Sequence, residues 1–245
     1  LGVEVRFLRT ELDSNWQINV EDLSNLIDRQ TKLLILCNPN NPTSVALKDD
    51  NLEEIVSTVD ERFTILSDEV YSDIGFVKTK SILGFNGENA LVKSFSKTFA
   101  MTGWRIGYSV TSKELAEKIV KLNFMSVNNV PVFIQEAAFK ALELRVPIAE
   151  RMREVYRRRA DIACEVLSKT RLQFARPDAP FYLFPRYDNL DSERFALNLL
   201  DQGVAVTPGT AFGDYREYFR IALTLPEQEI SRGLDRICRG IEESL

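Results

Sequence analysis

The 245-residue chain contains no histidine. That absence excludes every Ser-His-Asp triad, HExxH zinc site and Cys-His dyad built within the chain. Proton transfer near neutral pH then falls to a lysine, tyrosine, cysteine or carboxylate with a shifted pKa. Cysteine is scarce. Cys37, Cys164 and Cys238 form an odd set without CxxC spacing, as expected of buried thiols in a reducing compartment. Basic charge is not in excess, since 31 Lys+Arg face 36 Asp+Glu for a net charge of −5. This argues against a nucleic-acid or acidic-membrane partner. The one basic run, RMREVYRRR at 151–159, carries Glu150 and Glu154 at helical spacing and reads as a solvated helix face. No apolar run reaches the length of a membrane span and no signal peptide opens the chain, so a cytoplasmic protein is expected.

What is present is a chain 44% hydrophobic and 10% aromatic, enough for one large core or two modest ones. KLLILCNPNNP (32–42) reads as a short apolar strand closed by an Asn- and Pro-rich turn. DDNLEEIVSTVDE (49–61) places Leu52, Ile55, Val56 and Val59 at helical spacing, and RFTILSDEVY (62–71) supplies a second buried strand. This order predicts a βαβ unit in a parallel sheet, continued by strands at 90–95 and 105–110. Helical patterns follow at 112–124, 131–143 and 147–169. Strand-like segments (181–187, 204–208, 218–224) then alternate with helices at 192–202 and from Pro226. The organisation expected is a large domain over residues 1–146 and a small α+β domain over 147–245 that includes the long linking helix.

Ligands of open α/β sheets sit beyond the carboxyl ends of the parallel strands. That rule places Asn41 after the first strand, Asp68 and Tyr71 after the second, and Ser94, Ser96 and Lys97 after the third, at one edge. Each motif alone is weak, but their order is specific. CNPNNPTS, LSDEVY, SFSKTFAMTGWRIGY, APFYLFP and YFRIALT together resemble the signature of fold type I pyridoxal-phosphate enzymes, most closely the class I/II aminotransferases of the aspartate aminotransferase superfamily. The resemblance runs over nearly the whole chain and implies an α/β fold, with a mainly parallel sheet, flanking helices and a smaller C-terminal α+β domain.

The resemblance also implies roles. Lys97 would bond covalently to the aldehyde of pyridoxal 5'-phosphate and later shuttle a proton to and from the substrate α-carbon. Asp68 would keep the pyridine nitrogen protonated. Tyr71 and Asn41 would donate to the cofactor's phenolic oxygen. Ser94 and Arg105, with help from Ser96, would hold the phosphate. Arg220, a lone charge in an apolar strand, would grip the substrate α-carboxylate beside Asn41. Phe181 and TPGTAFG (207–213) resemble segments at the substrate entrance. Gly103 and Gly107 suit a backbone that passes close to another group.

The expected reaction moves an amino group from an amino acid to a 2-oxo acid in a ping-pong cycle, within a homodimer, with neither nucleic acid nor membrane as partner. Two other readings remain open at this point: a different pyridoxal-phosphate reaction, such as that of a C–S lyase, decarboxylase or cyclase, and a non-catalytic binding module. Two departures stand out. Ser44 occupies the usual glycine position after NPT, and Ala179-Pro180 stands where small flexible residues are common. The opening LGVEVRFL resembles a strand from the middle of the large domain. The chain is therefore expected to correspond to roughly the C-terminal two-thirds of such an enzyme.

Overall fold

The computed structural model describes residues 2–243. By contact it divides into two compact units. The first comprises residues up to Pro39, Ala46–Ile74 and Lys78–Glu150; the second comprises Asn40–Val45, Gly75–Val77 and the chain from Arg151 onward. Local pattern gives no warning of the two short excursions, because they are recruited by distant residues. Arg153 Nε donates to the Gly75 carbonyl (2.9 Å), Arg157 Nη2 to that of Phe76 (2.9 Å), and the Phe76 N–H to Asp178 O (2.7 Å). Part of the basic run 151–159 thus ties down backbone carbonyls, Arg153 from a half-buried position and Arg157 from an exposed one.

In the first unit, α1 (Val20–Leu26) precedes β1 (Leu33–Cys37), α2 (Asp49–Val59), β2 (Thr64–Asp68), β3 (Asn89–Ser94), α3 (Phe95–Thr98), β4 (Gly107–Val110), α4 (Lys113–Val127) and α5 (Val132–Glu143). The sheet order is β1-β2-β3-β4. The first three strands are parallel and β4 is antiparallel to β3, so the sheet is mainly parallel and the unit is α/β. The link from β3 to β4 holds only the four-residue α3 and a 3-10 turn at Thr102–Trp104, no full crossover helix, which suits an antiparallel return. One face of the sheet and α2 close a core of Leu36, Leu52, Ile55, Val59, Ile65, Ile82 and Leu91.

The opening segment differs from expectation. Residues 3–10 form no strand, and Val3, Val5 and Phe7 are 72%, 67% and 87% exposed. No neighbouring strand among the described residues offers a ladder there, and the segment is held instead by Arg6 to Asp28 (2.7 Å) and to Leu26 O (3.0 Å). Leu1 lies outside the described residues.

The long helix α6 (Arg145–Leu167) enters the second unit, followed there by β5 (Tyr182–Leu183), α7 (Ser192–Asp201), β6 (Thr207–Pro208), β7 (Phe219–Ala222) and α8 (Glu227–Glu242). The expected strands at 181–187 and 204–208 shrink to two-residue pairings. Pro185 interrupts the first, because proline lacks the ladder N–H. β7 is the centre of an antiparallel sheet, order β5-β7-β6, and its Phe219 and Ile221 enter a core shared with Leu183, Leu199, Leu234 and Ile237. No helix among the described residues is long and apolar enough to cross a membrane.

Candidate functional site

In the first unit the parallel strands deliver their carboxyl ends to one edge. Cys37, Asp68 and Val92 stand in register across β1, β2 and β3, so Asp68 ends β2 beside the strand that runs on to Ser94. Its Oδ1 accepts the Val70 N–H (3.1 Å). Burial pushes the Asp68 carboxyl above the usual carboxylate range, against the pull of that N–H and of the charges on Lys97 and Lys93. A carboxylate with less counter-charge than its burial demands is a receptive place for one more cation.

Lys97 follows β3 on the short α3. Ser94 caps that turn, its Oγ accepting the Ser96 N–H (3.1 Å) while its own hydrogen stays available to another acceptor. The Lys97 Nζ lies 5.7 Å from the centroid of the Tyr71 ring, and Tyr71 itself is buried. Ser96 is half-buried, and its carbonyl accepts the Thr102 hydroxyl (3.3 Å). Arg105 is exposed, has φ 53° and turns one guanidinium nitrogen back to Thr102 O (2.9 Å), leaving its other donors outward. Gly107 pairs with Ser94 across the antiparallel ladder. A Cβ on it would stand 2.6 Å from the Lys93 carbonyl, so a larger residue would push apart the strand that leads into Lys97. Gly103 has no such neighbour, and close approach explains Gly107 alone.

The second unit holds Asn41 and Arg220. Arg220 lies on β7 opposite Thr207, on the face away from the core that takes Phe219 and Ile221. Its Nη1 donates to Asn41 Oδ1 (2.9 Å) and its Nη2 to Thr207 Oγ1 (3.3 Å). The guanidinium lies 4.3 Å from the Tyr182 ring and 4.9 Å from that of Phe212, contacts that suit a weakly hydrated planar cation. Its Nε is buried with no hydrogen-bond partner among the described residues. An arginine fixed in this way and short of one acceptor is a ready seat for an anion.

Ser44 adopts φ 56° while 1% exposed. Its carbonyl accepts the N–H groups of Asp178 (2.8 Å) and Ala179 (3.0 Å), so a residue that is not glycine is held in the left-handed region by long-range backbone bonds. Phe181 also has a positive φ, 86°, but its ring packs in the core against Tyr156 at 4.4 Å. The neighbouring Tyr182 is the aromatic that meets Arg220. Sequence reasoning missed this residue, which only the strand register identifies: Tyr182 pairs with Ala222, two residues along β7 from Arg220 and therefore on the same face. It also missed the Lys93–Asp73 ion pair (3.2 Å), whose members lie in no motif. The three cysteines form no disulfide among the described residues, Cys164 being buried and Cys37 and Cys238 half-buried; burial raises the pKa of Cys164 and Cys238, which leaves both sluggish as nucleophiles.

Comparison with known proteins supplies a family. The model for aminotransferase class I and II matches residues 1–237. An aspartate aminotransferase of Thermococcus kodakarensis is 35% identical over 243 residues, covering 99% of this chain and 63% of its own length. An aromatic-amino-acid aminotransferase of Thermococcus litoralis is also 35% identical, over 94% of this chain and 62% of its own. The crystal structure of a Thermotoga maritima aspartate aminotransferase superposes with a TM-score of 0.92 at 30% identity, covering 98% of this chain and 64% of that one. The chain thus spans somewhat less than two thirds of the length of these relatives. It belongs to the class I and II aminotransferases.

Proposed function

We propose that this member of the class I and II aminotransferases moves an amino group from an amino acid to a 2-oxo acid, with pyridoxal 5'-phosphate as cofactor, as a cytoplasmic homodimer. The observation that carries the reading is the first unit's trio. An under-compensated carboxylate, Asp68, ends one parallel strand; the amine of Lys97 follows the next; and the buried Tyr71 ring lies 5.7 Å from that amine. This donor set fits the cofactor on its own chemistry. Asp68 suits a protonated ring nitrogen, Tyr71 a phenolic oxygen, and Ser94, Ser96 and Arg105 supply neutral and charged donors for a phosphate. Pyridoxal phosphate, when bound, supplies an aldehyde that captures amino groups and a ring that withdraws electrons from the substrate α-carbon.

The roles left to the chain are proton and charge work. Lys97 Nζ takes the proton from the substrate α-carbon and returns it, the work of a positioned amine acting as general base and then general acid. Asp68 holds a proton on the ring nitrogen by remaining an anion beside it. In the second unit Arg220, fixed by Asn41 and Thr207, is the residue to which the family resemblance gives the substrate α-carboxylate, and Asn41 retains amide hydrogens to donate. The names of the relatives, for aspartate and aromatic amino acids alike, favour transamination over elimination or decarboxylation. The homodimer rests on family resemblance, and sedimentation tests it.

Lys97→Ala tests the reading directly. The variant is expected to lose the borohydride-fixed covalent attachment of pyridoxal phosphate, read by mass spectrometry, together with at least about a thousandfold of the 2-oxo-acid-dependent turnover. Turnover near that of the parent would overturn the assignment.

A further inference from the structure

Lys93 lies on β3, one residue before Ser94 and four before Lys97. Its ammonium donates to Ser72 Oγ and to Asp73 Oδ1, the latter at 3.2 Å, and the side chains of Lys93 and Asp73 are only 12% and 17% exposed. Ser72 and Asp73 open the short 3-10 turn Ser72–Ile74 that immediately follows Tyr71. Arg145 Nη1 also reaches Asp73 Oδ1 (3.4 Å), and Tyr108 stands across the ladder from Lys93.

A pair drawn this far out of water is a poor way to gain stability, because desolvation offsets most of the Coulomb attraction. What it does fix is geometry. The start of the loop is already braced. The Glu69 N–H donates to Val92 O (3.0 Å), and the buried Glu69 carboxylate accepts Ser81 Oγ (3.1 Å) and Ile82 N–H (2.9 Å). Lys93 adds a tie on the far side of Tyr71, and that tie runs to the strand that leads into Lys97.

We propose that Lys93 is a positioning residue: by gripping Ser72 and Asp73 it sets the separation between the Tyr71 ring and the Lys97 amine. The inference rests on the cofactor reading above and adds to it a residue outside the family motifs. Loss of the lysine leaves Asp73 its second cation, Arg145.

The test compares two ligands in the whole protein. Pyridoxal phosphate presents an aldehyde to Lys97, whereas pyridoxamine phosphate presents none and reports only on the noncovalent contacts. In Lys93→Met the preference for pyridoxal phosphate over pyridoxamine phosphate, measured by equilibrium dialysis, should fall about tenfold, since misplacement of a reacting group by a fraction of an ångström weakens its reaction strongly. Pyridoxamine phosphate affinity should stay within about twofold, and Lys93→Arg should recover most of the preference. An unchanged preference, or equal loss for both ligands, overturns the proposal and leaves the cofactor reading standing. A parent protein that shows neither a preference nor borohydride fixation at Lys97 overturns both. If Lys93→Met fails to fold, Ser72→Ala removes only one gripped hydroxyl and should cost about threefold in the same ratio, and no change there counts against the proposal.

Discussion

Helix α8 gathers its apolar residues on one sharply amphipathic stripe, whereas α4 and α5 spread theirs more widely around the helix, and they meet different fates. On α8, Ile230, Leu234, Ile237 and Ile241 recur at helical spacing and are all buried. Gly240 on the same helix sits so close to α7 that a Cβ would come within 3.2 Å of the Phe195 ring. Helix α4 buries none of its residues and α5 only Ala138. Phe124, Met125, Phe133 and Phe139 are 61%, 82%, 70% and 63% exposed, far beyond the scattered apolar residues of an ordinary surface. Periodicity therefore announces that a helix has an apolar face. It does not say what covers that face, which is a property of tertiary partners.

The comparison breaks most visibly at the core of the second unit. Leu234 is 1% exposed among Leu199, Phe219 and Ile237, and Leu234→Ala removes apolar contact and leaves a cavity that close packing fills poorly. The expected loss is about 3 kcal/mol in urea unfolding, confined to the transition of that unit if the two units unfold separately. A loss below about 1 kcal/mol would mean that the α8 face is as loosely packed as α4.

A smaller effect of opposite sign is expected in the first unit at Asp68. Burial raises its pKa in the folded chain, so between the ordinary carboxylate range and the raised value the folded state binds more protons than the unfolded one. Stability contributed by this group is then present in acid and is lost as pH rises through that window. Asp68→Asn removes the penalty. The variant should be more stable than the parent at neutral pH, with the difference vanishing in acid, while the amino-group transfer proposed above collapses. A pH-independent difference in melting temperature would show that the carboxyl is not the cause. Placement of a carboxyl at a cost in stability is what distinguishes this edge of the sheet from the core of α8.

How much of this was legible follows the same division between local pattern and tertiary partner. Asp68, Ser94 and Lys97 could be placed because apolar runs end there, and a parallel sheet brings strand ends together. Arg220 stood out as a charge inside YFRIALT. Helix α1 went unread because it spans seven residues and buries only Leu23, although its cap Asn19, whose side chain accepts the N–H groups of Glu21 and Asp22, was a usable signal. Lys93 and Asp73 lie 20 residues apart in unrelated segments, and charged residues in isolation read as surface. Tyr182 required the register of β5 on β7, and the excursions 40–45 and 75–77 required Arg153, Arg157 and Asp178.

The smallest effect on stability, and the sharpest test of the opening comparison, belongs to α4 and α5. Met125→Gln and Phe133→Gln replace exposed apolar side chains with a polar residue of good helix propensity, so neither the intrinsic preference of the helix nor a packed contact is lost. Their combined change in unfolding free energy should stay within about 0.5 kcal/mol, the range of ordinary surface substitutions. What should change is solution behaviour. A solvatochromic dye such as anilinonaphthalene sulfonate binds clustered apolar surface, so the folded parent should enhance its fluorescence and the double variant should enhance it less. The apolar area withdrawn from contact with dye or with other molecules scales with the side chains removed. If the double variant lost stability on the scale expected for Leu234→Ala, those side chains would be buried in solution, and α4 would be packed as α8 is.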